Sequence, residues 1–304
     1  MKPTMKENFE KLEERVIKSL DSTDLQRINS ELSKIKGPTL VSGVGGSSVV
    51  AEYASKILAT KNDIIARSQQ PRDFKHMNVK PYQNVLACSY SGNNIGVDLA
   101  FSNKLRHYLL ASRPSDKENV TNLTYNVEEK EDSFISLSST LIPCGILLNY
   151  YLRGDKEAVF NSLEPYEFNF DVNCDMFEIF SGIETSTASM FLESTMVESG
   201  IGIPIVHDKY GYCHGRSTLS VEHNNIAIYF NGNTELDKLL LNELPKYYKE
   251  VVVLDSFDNI CMEYLLLVRC VYLAKYIAEQ QQKDLSRVNH SPVTKLLYKY
   301  KGEV

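Results

Sequence analysis

Thr39–Ser48 reads TLVSGVGGSS, and Asn84–Asn94 reads NVLACSYSGNN. Each is a short apolar run followed at once by a Gly/Ser turn. Behind the turns the sequence takes on a helical rhythm, over about 49–59 and 96–106. Strand, tight turn and helix in that order make half of a parallel βαβ unit. Working outward, IIARS (64–68), YLLAS (108–112) and NLTYNV (122–127) read as further strands, and a long helix over 133–153 closes the series. The second half repeats the rhythm. FEIFS (177–181), NIAIYF (225–230) and EVVVLD (250–255) read as strands, with helices over 186–199, 235–247 and 260–282. Strands that are continuous apolar runs belong to sheets covered on both faces. Ahead of the first strand, Leu12, Val16, Leu20, Leu25, Ile28, Leu32 and Ile35 recur at helical spacing, with a break near Asp21–Asp24. The expected fold class is α/β, with two tandem doubly wound parallel-sheet, flavodoxin-like subdomains. They span 37–154 and 155–283, after an N-terminal helical segment (1–36) and before a tail (284–304).

Composition narrows the function. The 304 residues suit two domains of about 150 each. Net charge is −6, and the densest basic run is the short KLLYKYK at 295–301. No nucleic-acid partner is expected, because backbone binding needs clustered Lys and Arg. No segment approaches the roughly 18 apolar residues of a membrane helix, and the charged start MKPTMKENFEKLEERV is no leader peptide. The six cysteines form no CxxC pair. A reduced, cytoplasmic protein without disulfides, structural zinc or other metal is expected.

The two turns carry the chemistry. At the carboxyl ends of parallel strands, helix N-termini offer free N–H groups that attract anions. Gly lets the backbone approach and Ser adds hydroxyl donors, so a phosphate monoester can be held without Lys or Arg. Neither turn has the GK[ST] of a P-loop. GVGGSS supplies Gly43 and Gly45 but Ser48 where a dinucleotide fingerprint needs a third Gly; Asp63 follows about 20 residues on, so a nucleotide reading stays open here. As pure structure, each turn is a tight strand-to-helix connection with capping serines. Two of them on consecutive crossovers point to a phosphate site.

GVGGSS, then a strand ending in SxSG with a helix behind it, resembles the sugar isomerase (SIS) domain. The tandem arrangement over about 37–300 is similar to the isomerase half of glucosamine-6-phosphate synthase and to fructosamine-6-phosphate deglycases. The resemblance implies that Ser89, Ser91 and Asn94 hold a sugar's phosphate, with Ser47, Ser48 and Gly45 close by. It departs from the family at Asn94, where Thr is usual. The segment EEKEDSFISLSST (128–140) matches the region that lines the sugar, which adds Ser133; read locally, Asp132 or Ser133 is a helix cap. The second half has NGN (231–233) where SxSG would fall, so one phosphate site per chain is expected, in the first half.

MVESGIGIPIVHDKYGYCHGRSTL (196–219) places Glu198 at a helix end and His214, before Gly215, at the start of another helix, 16 residues on. The family has a Glu followed at this spacing by a His-Gly pair. The resemblance implies that Glu198 moves a proton between the first two carbons of the open-chain sugar, and that His214 assists ring opening. Proton abstraction α to a carbonyl needs a carboxylate, and imidazole titrates in the range useful for an acid. Read alone, a Glu at a helix end is ordinarily solvated and a lone His ordinarily structural. His207, His223 and His290 compete for the acid's role, and HDKYGYCH (207–214) fits no standard zinc spacing. In the tail, His290 and Lys295 are candidate substrate contacts, against the alternative of a solvated basic end.

The expected function is therefore a sugar-phosphate enzyme without cofactor, of isomerase or deglycase type. The alternative is a phosphosugar-sensing regulator without turnover. The start of the chain close to the first unit implies no glutaminase ahead of it. A homodimer or tetramer with composite active sites is the family's habit.

Overall fold

The computed structural model describes residues 4–256, 259–289 and 291–293. It divides into two compact units: unit 1 runs to Phe160 and regains the chain from Arg287, and unit 2 is Asn161–Ser286.

Unit 1 opens with α1 (Met5–Glu10), α2 (Leu12–Ser22) and α3 (Leu25–Ser33). The expected break falls where Asp24 caps α3, accepting from the Arg27 N–H at 3.0 Å. All seven apolar positions read from the helical spacing are buried. There follow β1 (Thr39–Ser42), α4 (Gly46–Asn62), β2 (Ala66–Ser68), β3 (Asn84–Cys88), α5 (Ile95–Ala100), β4 (Arg106–Ala111), β5 (Val120–Thr124), α6 (Ser138–Tyr151) and α7 (Lys156–Asn161). The five strands are parallel in the order β2-β1-β3-β4-β5, the flavodoxin-like winding. Leu40, Val85, Ala87, Leu109 and Ala111 point to one face and pack with Phe74, Val97, Ala100 and Phe101. Their alternate neighbours Val41, Leu86 and Leu110 are buried as well, which is why these strands read as unbroken apolar runs. α4 lies along β1–β3, and α6 packs on α4.

Unit 2 holds β6 (Met176–Ser181), α8 (Ser186–Ser199), β7 (Ile203–Asp208), α9 (Thr218–Glu222), β8 (Ile226–Asn231), α10 (Glu235–Glu243), β9 (Glu250–Asp255) and α11 (Ile260–Gln280). Its strands are parallel in the order β7-β6-β8-β9, the winding of the first four strands of unit 1. Phe180, Tyr212, Ala227, Tyr229, Leu244 and Tyr248 form a core cluster, and α8 packs against α11. Among the described residues no helix is long and apolar enough to cross a membrane.

Four departures from the sequence reading bear on the strands and the candidate site. The helix expected over 96–106 stops at Ala100, because Asn103 caps its end: Nδ2 donates to the Ala100 carbonyl at 2.7 Å and Oδ1 accepts from the Leu105 N–H at 3.0 Å. Arg106 therefore opens β4 instead of closing a helix. The helix expected from 133 begins at Ser138, so neither Asp132 nor Ser133 is its cap. β7 was missed: it is an edge strand, half-exposed and carrying Pro204, and an edge tolerates the missing N–H. Finally, His214 does not start a helix, since α9 begins at Thr218.

Candidate functional site

In unit 1 the chain leaves β1 toward β2 and leaves β3 toward β4, in opposite directions across the sheet. The crevice between the carboxyl ends of β1 and β3 is the point at which open α/β sheets bind ligands. The turns 43–48 and 89–94 stand on either side of it.

The first turn brings the chain into the 17-residue helix α4 through Gly45, at φ +60°. Ser48 ties the turn down: its N–H and hydroxyl both donate to the Gly45 carbonyl, at 2.8 and 2.7 Å. Ser47 stands half-buried in the first turn of α4, and its hydroxyl makes no hydrogen bond among the described residues.

The second turn is braced by Ser89, which is buried. Its Oγ accepts from the Gly92 N–H at 3.1 Å and from Asn94 Nδ2 at 3.0 Å. Asn94 also caps α5, Oδ1 accepting from the Val97 N–H at 3.1 Å. Asn94 therefore does two structural jobs here. Ser91 is half-buried and makes no side-chain hydrogen bond among the described residues. Gly92 sits at φ +74°, and a Cβ there would come within 2.5 Å of the Arg113 carbonyl. Gly92→Ala should cost about 1–3 kcal/mol of unit 1 stability. Thermal melts measure the loss, and a melting temperature equal to that of the wild type would contradict this account. Next to the turn, burial pushes the Cys88 thiol up to about 12, so it stays protonated and is no nucleophile.

Ser91 opens onto a cleft of about 700 Å³ at the carboxyl ends of β3, β4 and β5. Arg113 and Lys130 line it and join no ion pair among the described residues, whereas nearby Lys11 and Arg15 are both drawn to Glu129. Sequence reasoning missed these two cations, because isolated basic residues in separate loops form no pattern along the chain. Ser112 fixes the cleft wall to the turn, donating from its N–H and hydroxyl to the Tyr90 carbonyl at 3.1 and 2.6 Å.

The start of α6 abuts that of α4: a Cβ on Gly46 would meet Ser136 at 2.8 Å. Glu131, unremarked in the sequence, supplies the α6 cap. Its carboxylate accepts from the N–H groups of Leu137 (2.9 Å) and Ser138 (2.6 Å) and from the hydroxyls of Ser138 (2.7 Å) and Ser139 (2.8 Å). A carboxylate on the free N–H groups of a helix start is stabilising. Ser133 lies in the loop this cap holds, its Oγ buried without a partner among the described residues.

In unit 2 the equivalent turn, between β8 and α10, carries its own anion. The Asp237 carboxylate accepts from the N–H groups of Gly232 (3.1 Å) and Thr234 (2.9 Å), the Thr234 hydroxyl (2.7 Å), the Tyr229 hydroxyl (2.7 Å) and Lys209 Nζ (2.7 Å). Both Asp237 and Lys209 are buried. Burial alone raises this carboxyl, but Lys209, Tyr229 and Thr234 outweigh it and hold it down at about 2. The turn that could receive an external anion is thus filled from within.

Glu198 is the penultimate residue of α8, exposed, and accepts from the Ser194 hydroxyl at 2.6 Å. His214 is exposed and follows β7. Glu198 precedes that strand and His214 succeeds it; no hydrogen bond or ion pair joins them among the described residues. His290 and Lys295 lie outside the described residues. No three His, Cys, Asp or Glu side chains gather as a metal site among the described residues, and the six cysteines are free thiols.

Two doubly wound parallel sheets in tandem, the first with a Gly/Ser-walled crevice at its switch point, define the tandem SIS class of fold. Solved structures bear this out. The C-terminal domain of glucosamine-fructose-6-phosphate aminotransferase from Francisella tularensis matches with TM-score 0.71 at 12% identity, covering 94% of this chain and 98% of that one. Tagatose-6-phosphate ketose/aldose isomerase from Escherichia coli matches with TM-score 0.70 at 13% identity, over 91% of this chain and 93% of that one. Glucosamine-6-phosphate deaminase from Thermotoga maritima matches with TM-score 0.68 at 16% identity, over 92% and 98%. No family model and no curated protein matches the sequence.

Proposed function

We propose that this chain is an enzyme of sugar phosphates. It binds the phosphate at the turns 43–48 and 89–94, through Ser47, Ser89, Ser91 and Asn94, with Ser48, Gly45 and Ser133 as the supporting wall. The observation that carries this reading is the pairing of those turns at the switch point of unit 1, while the matching turn of unit 2 is closed by Asp237. The three solved structures named above all carry a phosphosugar in their names, but the reactions named differ, so the fold does not select among them.

The chemistry proposed is proton transfer between C1 and C2 of an open-chain sugar 6-phosphate. It serves aldose–ketose isomerisation or the release of an amine from a fructosamine 6-phosphate. Glu198 takes the proton from one carbon, an enediol (or enolamine) forms, and the proton is returned to the other carbon; with a fructosamine this leaves an imine at C1, which water hydrolyses to the aldose phosphate and the free amine. His214 is the acid for ring opening. A homodimer or tetramer in which the His of one copy serves another goes with this reading, as the resemblance to the SIS family implies. The free thiols fit a cytoplasmic setting. The exposed Glu198, held by a single serine, also suits the second reading, a phosphosugar sensor without turnover.

Thermal melts against fructose, glucose and glucosamine 6-phosphates, with the free sugars as controls, test the binding site. A ligand that binds only the folded state raises its melting temperature. A shift with a 6-phosphate is expected, absent with the free sugars and in the Ser89→Ala/Ser91→Ala double variant. No shift with any phosphosugar, or an undiminished one in the double variant, overturns the reading.

A further inference from the structure

The loop from β7 to α9 carries the His-Gly pair and is anchored on both sides of His214 by buried groups that the proposed chemistry does not use. Glu178 lies in the interior of β6 and is fully buried. Its carboxylate accepts from His207 Nε2 (2.7 Å), Asn225 Nδ2 (2.6 Å) and the Tyr248 hydroxyl (2.8 Å). Burial raises this carboxyl, and the three donors outweigh burial and hold it low. A carboxylate in the middle of an apolar strand is costly unless fully satisfied, so its presence calls for a role. His207 passes the contact on: its Nδ1 accepts from Arg216 Nε at 2.7 Å. This bond assigns the imidazole proton to Nε2, toward Glu178. Arg216 Nη2 donates in addition to the Val206 carbonyl at 3.1 Å, which clamps the guanidinium along β7.

On the other side of His214, the Tyr212 hydroxyl stands 2.5 Å from Ser220 Oγ and 3.1 Å from the Tyr248 hydroxyl. Tyr248 therefore touches both anchors. Between them, the His214 N–H donates to the Gly211 carbonyl at 3.1 Å and the imidazole is left exposed. Gly215 has φ +80° and no atom within 4 Å of a would-be Cβ, so the constraint there is backbone handedness, not space. That left-handed residue turns Arg216 back onto β7 while His214 faces outward. The His-Gly pair thus has a local cause.

We propose that Glu178, His207 and Arg216 act as a positioning relay for His214. The carboxylate orients the imidazole, the imidazole orients the guanidinium, and the guanidinium with Gly215 sets where His214 stands. The proposal rests on the reading of His214 as the acid. Arg216 is itself exposed and borders an open cleft of about 370 Å³ with Leu219 and His223, so replacing it opens no hole in the core.

The test uses the full chain labelled at histidine, with Arg216→Ala, His207→Gln and the double variant. Three quantities are read: the His214 side-chain NMR signal, the melting shift with fructose 6-phosphate, and kcat and KM for fructose 6-phosphate interconversion. In Arg216→Ala the His214 signal should move away from its wild-type position, because the loop that carries it is released from β7. kcat should fall about tenfold or more, with KM and the melting shift within twofold of wild type. The double variant should be no worse than either single one, as for members of one relay. An unmoved His214 signal in Arg216→Ala, or additive losses in the double variant, overturns the relay. If His207→Gln does not fold, Arg216→Ala alone decides. If the wild type binds phosphosugars but turns none over, the NMR signal still decides the positioning, and it is the reading of His214 as an acid that fails.

Discussion

Asp237→Ala is expected to cost unit 2 about 3–5 kcal/mol, because it strands the buried Lys209 ammonium without its counter-ion. Four further donors, the Tyr229 and Thr234 hydroxyls and the N–H groups of Gly232 and Thr234, lose this acceptor at the same time. Hydrogen exchange of the β6 and β8 amides measures the loss within unit 2. Protection within about 1 kcal/mol of wild type would show that water or a shifted side chain replaces the carboxylate. The same group makes an acid prediction. The folded carboxyl sits at about 2, below the ordinary 3.8 that the unfolded chain restores. A depressed carboxyl stabilises the fold above its unfolded value and loses that contribution as pH falls through the folded one. Unit 2 should therefore lose roughly 2 kcal/mol between about pH 4 and pH 2. Asp237→Asn, which cannot titrate, should flatten that part of the profile, and an equally steep acid loss in the variant would assign it to other groups.

Glu198→Gln is expected to lower turnover about 10²- to 10⁴-fold, the usual range for removing a general base. The amide keeps the shape of the side chain and can still meet the Ser194 hydroxyl, but it cannot take a proton from carbon. Because Glu198 is exposed, the melting temperature should hardly move. Because the phosphate contacts proposed here all lie in unit 1, the shift induced by fructose 6-phosphate should persist. Steady-state kinetics beside ligand melts separate these effects. Full turnover in Glu198→Gln removes it as the base; wild-type protein that binds but never converts any phosphosugar favours the sensor reading instead.

How much of this was legible along the chain follows from the range of the interactions. The strands Thr39–Ser42 and Asn84–Cys88 announce themselves because both their faces are buried, Glu250–Asp255 because its apolar run VVVL is unbroken although it lies at a sheet edge, and the helix Ser186–Ser199 because it ends at Gly200. β7 hid because Pro204, which an edge strand can carry, and the polar pair His207–Asp208 interrupt its apolar run. The Gly/Ser turns were visible as local signals, but their place side by side depends on β1 and β3 pairing across 40-odd residues of intervening chain. Arg113 and Lys130 had no signal at all until β4 and β5 brought their loops to one cleft.

The sequence determined the alternating α/β pattern, its repetition in two halves and the Gly/Ser turns, since periodicity and turn chemistry act over a few residues. It also contained the Glu198 and His214 spacing, though not its geometry. Only the tertiary structure decided that the second half's turn is closed by Asp237, that Ser89 braces its loop from within while Ser91 faces a cleft, and that Glu178 reaches Arg216 through His207. The Glu178–His207 and His207–Arg216 contacts join residues 29 and 9 positions apart whose partners are chosen by sheet order and burial, and buried polar groups must find whatever donors the fold brings them.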